Sequence, residues 1–163
     1  MKVLIAIDDS QYSSAAVESV LNGNWPVDSQ FRVIMVIEPL YAPYDFAGVY
    51  LIESMIEADK QFAEHCRALV ERRIAQLKGT FGEDKACGEV LKGPISETII
   101  EEAKSWNADL IVMGSHGRKG FNKFLLGSVA QSVASHAPCS IEIVKIKDAP
   151  DLVKPQAEAA KLN

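Results

Sequence analysis

From Gly114 to Ser128 the chain runs Gly-Ser-His-Gly-Arg-Lys-Gly-Phe-Asn-Lys-Phe-Leu-Leu-Gly-Ser, directly after an apolar run and directly before a helical pattern. Glycines at such a junction let the backbone turn and bring its N–H groups close to a ligand. The start of a helix adds unpaired N–H donors and the positive end of the helix dipole, which together favour an anion at Gly127 and Ser128. No Asp or Glu occurs between Leu110 and Ile141, whereas Arg118, Lys119 and Lys123 all fall in the loop. A chain of net charge -5 thus keeps one basic window, and phosphate is the chemistry it suits. The loop is neither a P-loop, which needs Gly-Lys followed by Ser or Thr, nor G-x-G-x-x-G. Glycines alone are equally compatible with an ordinary strand-to-helix connection carrying solvated bases.

A second residue changes that balance. Asp8 ends the apolar run Val3–Ile7. In an open parallel sheet, ligands bind beyond the carboxyl ends of the strands where the strand order reverses. A carboxylate there accepts hydrogen bonds from ribose hydroxyls while the helix start across the crevice takes phosphates. The bland alternative makes Asp8 an N-terminal helix cap, a task that Asp9 or Ser10 can also perform.

The elements that would hold these residues follow from periodicity. Val3–Ile7, Val33–Ile37 and Leu110–Met113 are short continuous apolar runs rich in β-branched residues, the pattern of strands covered on both faces. Ala86–Leu91 and Ser140–Ile146 are weaker, and the alternation of the latter suits a sheet edge. Helical spacing appears at Ser13–Asn22, with Gly23 as a stop, and at Leu51–Lys78, interrupted by Arg73. It appears again at Ser96–Trp106 and Gly127–His136. Strands alternating with helices predict an α/β fold: an open parallel five-stranded sheet, Rossmann-like, with helices on both faces and strand order 3-2-1-4-5. Glu38–Tyr50 holds two prolines and four aromatics and is predicted to be a long connection, either packed on the domain or a partner chain or closing over the ligand. Residues 148–163 are predicted to be a weakly ordered tail, leaving 1–147 as one domain.

Composition narrows the class. With 163 residues, 48% hydrophobic and 24% charged, one globular domain buries roughly two-thirds of its unfolded surface. The acidic balance gives no general attraction to nucleic acid or to an anionic membrane. Cys66, Cys87 and Cys139 form neither a disulfide framework nor zinc spacing. No run is long enough for a signal peptide or a membrane span. A cytoplasmic protein is expected.

With the loop and Asp8 in place, the chain resembles the universal stress proteins of the ATP-binding kind over residues 1 to about 147. The nucleotide motif of that family is G-x2-G-x9-G-[ST], and Gly114, Gly117, Gly127 and Ser128 match it at every spacing. The lead-in Asn107–Met113, the closing Ala137-Pro138-Cys139 and Val90–Pro94 are similar as well. The resemblance implies ribose contact at Asp8, adenine contact by the backbone of Val36, and phosphate contact at Gly114, Gly117, Gly127 and Ser128. Ala6, His116 and Val129 would line the same site. It further implies ATP, ADP or AMP as ligand, a homodimer, and a regulatory role in stress survival; the Ser128 hydroxyl is the candidate contact for a Mg²⁺ ion. Dimerisation through Ser140–Ile146 follows from the exposed edge itself.

The rival reading is a slow ATPase or nucleotide hydrolase. Fast phosphoryl transfer needs a held metal and a residue that orients water. Ser128 has no carboxylate near it in sequence, and Asp109 starts its strand, roughly 16 Å from the loop at 3.3 Å per residue. His116 is the best candidate for a general base or a phosphate contact. Flavodoxin-like electron transfer is a third reading, disfavoured because flavin loops differ.

Overall fold

The structure, a computed structural model, describes residues 1–39, 49–117 and 126–146, with side chains omitted for 49–54. Its elements are β1 (Lys2–Ile7), α1 (Gln11–Leu21), β2 (Gln30–Ile37), α2 (Val49–Phe81), β3 (Ala86–Lys92), α3 (Ile95–Ser105), β4 (Leu110–Gly114), α4 (Ser128–His136) and β5 (Ser140–Val144). The sheet is parallel throughout, in the order β3-β2-β1-β4-β5.

Central strands are apolar on both faces because both faces are covered. Val3, Ile5 and Ile7 of β1, with Phe31, Val33 and Met35 of β2, pack under α1 and α2. Leu4 and Ala6, with Ile34, Ile111 and Met113, pack under α3 and α4. Ile99, Ile100 and Ala103 bring α3 onto that second face, and Ala130 and Val133 bring α4. Each large aliphatic side chain so buried is worth about 1.5–3 kcal/mol of transfer free energy.

The element boundaries depart from the periodic pattern at places with physical causes. Helix α1 starts at Gln11 because the Ser10 hydroxyl accepts from the Ser13 N–H at 3.1 Å, a side-chain N-cap. Helix α2 begins at Val49, so the connection predicted to reach Tyr50 is shorter; its residues 40–48 lie outside the described segments. Arg73 does not interrupt α2. It joins α2 to α1, donating from Nη2 to Ser14 Oγ at 2.8 Å and from Nη1 to Gln76 Oε1 at 3.1 Å. The far end of α2 extends to Phe81, whose ring stacks on Phe31 with centroids 4.4 Å apart. Strand β5 stops at Val144, not Ile146. Its last pair is Gly114–Val144, and the Ser115 N–H donates to the Val144 carbonyl at 2.9 Å as β4 turns away, leaving Lys145 and Ile146 no ladder. The predicted tail and its boundary at 147 lie outside the described residues.

At the amino end of the sheet Asp109 is structural. Its carboxylate accepts from the Lys2 N–H at 2.7 Å and its own N–H donates to the Lys2 carbonyl at 2.9 Å. Burial, and then the nearby Asp109 charge, push the Cys139 thiol above its ordinary range despite an opposing hydrogen bond from the Ile111 backbone. A raised thiol is a poor nucleophile at neutral pH.

Candidate functional site

At the carboxyl end of the sheet lies a cavity of about 790 Å³. The ends of β1, β2 and β4 form its floor. Ala58, Asp59 and Phe62 of α2, Ile95 and Ile99 of α3, and the first turn of α4 form its walls. The residues predicted to contact a nucleotide line it: Ala6, Asp8, Val36, Gly114, His116, Gly117, Gly127, Ser128 and Val129. Arg118, Lys119 and Lys123 lie outside the described residues.

Asp8 is fixed by the turn between β1 and α1. Its Oδ1 accepts from the Ser10 N–H at 3.1 Å, and its own N–H donates to Ser13 Oγ at 3.0 Å. Ser10, not Asp8, is the helix cap. The other carboxylate oxygen faces the glycine loop, since a Cβ placed on Gly117 would stand 2.9 Å from Asp8 Oδ2. Gly117 has no positive φ, so what its missing side chain provides is room beside this carboxylate, not backbone handedness.

The other two motif glycines also act through closeness. A Cβ on Gly114 would lie 2.7–2.9 Å from the backbone and Cβ of Tyr12; its absence lets α1 approach β4 and places Asp8 over the strand end. Gly127 is the N-cap of α4, and its N–H donates to the Ser115 carbonyl at 2.9 Å. A Cβ there would meet His116 Cα and Ser115 O, each at 3.3 Å. The two arms of the loop are therefore pinned together at the start of α4, where its first N–H groups face the cavity.

His116 sits between these arms. Its Nδ1 is 3.1 Å from Ser115 Oγ, and its ring lies 5.0 Å from that of Tyr12. Its Nε2 is buried with no hydrogen-bond partner among the described residues, and a buried polar atom of this kind asks for a partner.

Hydrogen bonds from Gln30 N–H to the Met1 carbonyl and from Gly93 N–H to the Ile37 carbonyl set the alternation along β2. Odd-numbered backbone groups face β3 and even-numbered ones face β1. The last β1 pair is Ile7–Met35, so the Val36 carbonyl faces the crevice just beyond the ladder.

The walls carry no mark in the sequence. Ser13, Ala58, Asp59, Phe62, Ile95 and Ile99 all line the cavity, yet each fits an amphipathic helix. Pro94, which starts α3 immediately after β3, was the one signal that this helix begins level with the strand ends. Among the described residues no group of three His, Cys, Asp or Glu side chains is arranged to hold a metal ion.

Comparison with known proteins places this geometry. The model of the universal stress protein family matches residues 1–145. This chain belongs to that family. Universal stress protein A homolog 2 of Coxiella burnetii is 29% identical over 147 residues, covering 90% of this chain and 95% of its own. A universal stress protein of Methanocaldococcus jannaschii is 30% identical over 146 residues, covering 88% and 81%. Among solved universal stress proteins, UspA of Lactobacillus plantarum superposes with a TM-score of 0.69 at 22% identity, covering 88% of this chain and 97% of its own. A universal stress protein in complex with cAMP gives 0.56 at 18% identity, covering 89% and 96%. A family protein of Arabidopsis thaliana with AMP bound gives 0.55 at 16% identity, covering 89% and 91%. At these identities the structural likenesses speak for the fold alone.

Proposed function

We propose that this chain is a regulatory protein of the stress response that binds an adenine nucleotide, ATP foremost, in the cavity at the carboxyl end of its sheet. The observation that carries the reading is the meeting of three groups in one crevice: the Asp8 carboxylate, the Val36 carbonyl and the start of α4 behind Gly127. Ribose hydroxyls donate to Asp8, the adenine amine donates to Val36, and the phosphates take the N–H groups at Gly127 and Ser128. The buried Nε2 of His116 meets a phosphate oxygen. Ala6 and Val129 complete the wall. The cAMP and AMP held by two family members support the ligand class. If Mg²⁺ accompanies the nucleotide, Ser128 is the residue whose hydroxyl would meet it, and the ion would offset phosphate charge there. Chromatography of whatever is released on denaturing freshly purified protein tests this directly: an adenine nucleotide is expected, and its absence together with no binding at millimolar ATP, ADP and AMP overturns the reading.

The enzyme alternative is distinguishable. Asp109 is committed to Lys2 at the opposite end of the sheet, and no carboxylate lies beside Ser128 in sequence. Turnover with Mg²⁺ and ATP is expected well below about 1 s⁻¹, the low end of ordinary enzymes. Tens per second, abolished by His116→Ala, would give the case to a hydrolase.

We further propose a cytoplasmic homodimer that pairs through β5 and responds to occupancy. The strand forms one edge of the sheet, with Ile141 and Ile143 only partly buried, and antiparallel pairing across a two-fold axis satisfies the edges of both copies. Three free cysteines suit a reducing compartment, and no described helix is long and apolar enough to cross a membrane. Light scattering at tens of micromolar is expected to give the dimer mass; a monomer ends this part of the proposal.

A further inference from the structure

With phosphates over the start of α4 and ribose at Asp8, the base falls to the β2 side of the cavity. The wall there is apolar: Val36 from β2, Phe62 from α2, and Ile95 and Ile99 from α3. Two ionisable side chains interrupt it among the described residues, Glu38 at the end of β2 and Asp59 on α2. Asp59 is the better placed of the two. Its carboxylate is 36% exposed, against an exposed Glu38, and its Oδ2 lies 3.7 Å from Nζ of Lys92 at the end of β3. Lys92 lies outside the cavity lining, so this pair leaves the carboxylate further lone pairs to accept from within.

We propose that Asp59 reads the 6-amino group of the purine and thereby rejects 6-oxopurines. The inference rests on the nucleotide reading above and adds a residue to it. An exocyclic amine carries two N–H donors. One is directed at the Val36 carbonyl, which faces the crevice beyond the last pair of β1 with β2, and the other at the Asp59 carboxylate. A 6-oxo group in the same place opposes its oxygen to two acceptors and leaves both unpaired. Rejection of that kind is stronger than the gain from one added contact, because acceptors that the bound base covers lose their water without replacement. Partial exposure of Asp59 keeps the effect at the modest end.

Calorimetric titration with ATP and with ITP, which carries a 6-oxo base, tests the assignment. Wild-type protein is expected to prefer ATP by roughly 10- to 100-fold. Asp59→Asn, whose amide donates as well as accepts, should narrow the preference to a few-fold, and Asp59→Ala should narrow it by weakening ATP. Lys92→Ala removes the ion pair but keeps the carboxylate, and should retain most of the preference, which a purely structural Asp59–Lys92 bridge would not allow. Circular dichroism checks that each variant is folded. If both Asp59 variants discriminate like wild type, or if wild type binds ATP and ITP equally, the inference is overturned while the nucleotide reading stands. If wild type binds neither, the inference falls, and the nucleotide reading falls with it only when ADP and AMP also fail to bind and no nucleotide is released on denaturation.

Discussion

Gly88→Ala is expected to lower the melting temperature by roughly 6–12 °C, although residue 88 does not line the cavity. Gly88 is paired with Val33 in the β2–β3 ladder, and a Cβ built on it falls on the Val33 carbonyl oxygen and 2.9 Å from the carbonyl carbon. The obstacle is backbone at the centre of a strand pair, so it cannot swing aside like the end of a flexible side chain. Relief requires β3 to move off β2, loosening the ladder from Phe31–Ala86 to Ile37–Lys92 and the α2 packing above it. Overpacking of this kind costs about 3 kcal/mol, and a domain of this size loses about 2–4 °C per kcal/mol. Gly79→Ala is the matched control. Gly79 lies within α2 with nothing inside 4 Å of the added methyl, and removing a helical glycine gains about 0.5–1 kcal/mol. Thermal melts should therefore move in opposite directions for the same chemical change. A Gly88→Ala protein melting within a degree of wild type would show that the strand pair gives way at no cost.

The contrast between these glycines shows where sequence reading works and where it stops. Gly114, Gly117 and Gly127 are visible because they cluster at one junction between an apolar run and a helical pattern. Their shared spacing is information. Gly88 stands alone in a weak strand, and its requirement comes from Val33, more than fifty positions away in sequence, so nothing local marks it. For the legible glycines the detailed reason is spatial too: Gly117 is pressed by Asp8, not held at positive φ. The sheet order was legible for a related cause. Strand segments covered on both faces are apolar at every position, and β1, β2 and β4 carry that mark in four or five consecutive residues, Val3–Ile7, Val33–Ile37 and Leu110–Met113. Asp59 carries no such mark. An acidic residue on a long helix is ordinarily solvated, and only the reach of α2 past the strand ends turns it toward a cavity. The limits of α2 were hidden similarly, since its last turn depends on Phe81 meeting Phe31 across the fold.

Gly127→Leu is expected to abolish nucleotide binding while leaving the domain folded. A ligand that binds only the native state stabilises it by RT ln(1 + [L]/Kd), about 2.7 kcal/mol at a hundredfold excess over Kd. Wild-type protein should therefore melt roughly 5–10 °C higher with saturating ATP. At Gly127 the first side-chain carbon already meets His116 Cα and Ser115 O at 3.3 Å. The rest of a leucine must push these two arms of the loop apart or occupy the space before α4. Either outcome displaces the N–H groups that receive phosphate and breaks the 2.9 Å bond from Gly127 N–H to Ser115 that pins them. The fold tolerates the change, because Gly127 makes no side-chain cap and α4 keeps Ala130 and Val133 buried. A loss of about 1 kcal/mol in the unliganded protein is the expected extent, the usual cost of a poor N-cap. Asp8→Ala should do less to binding, about 1–3 kcal/mol, since it removes one charge-assisted bond among several. Gly117→Ala should fall between them, for its methyl presses on a carboxylate that Ser10 already holds. The order Gly127→Leu, Gly117→Ala, Asp8→Ala in lost thermal shift follows from where each added or deleted atom lies. A Gly127→Leu protein that still gains the full shift with ATP would move the phosphates off the start of α4 and leave Asp8 and Val36 to a ligand bound some other way.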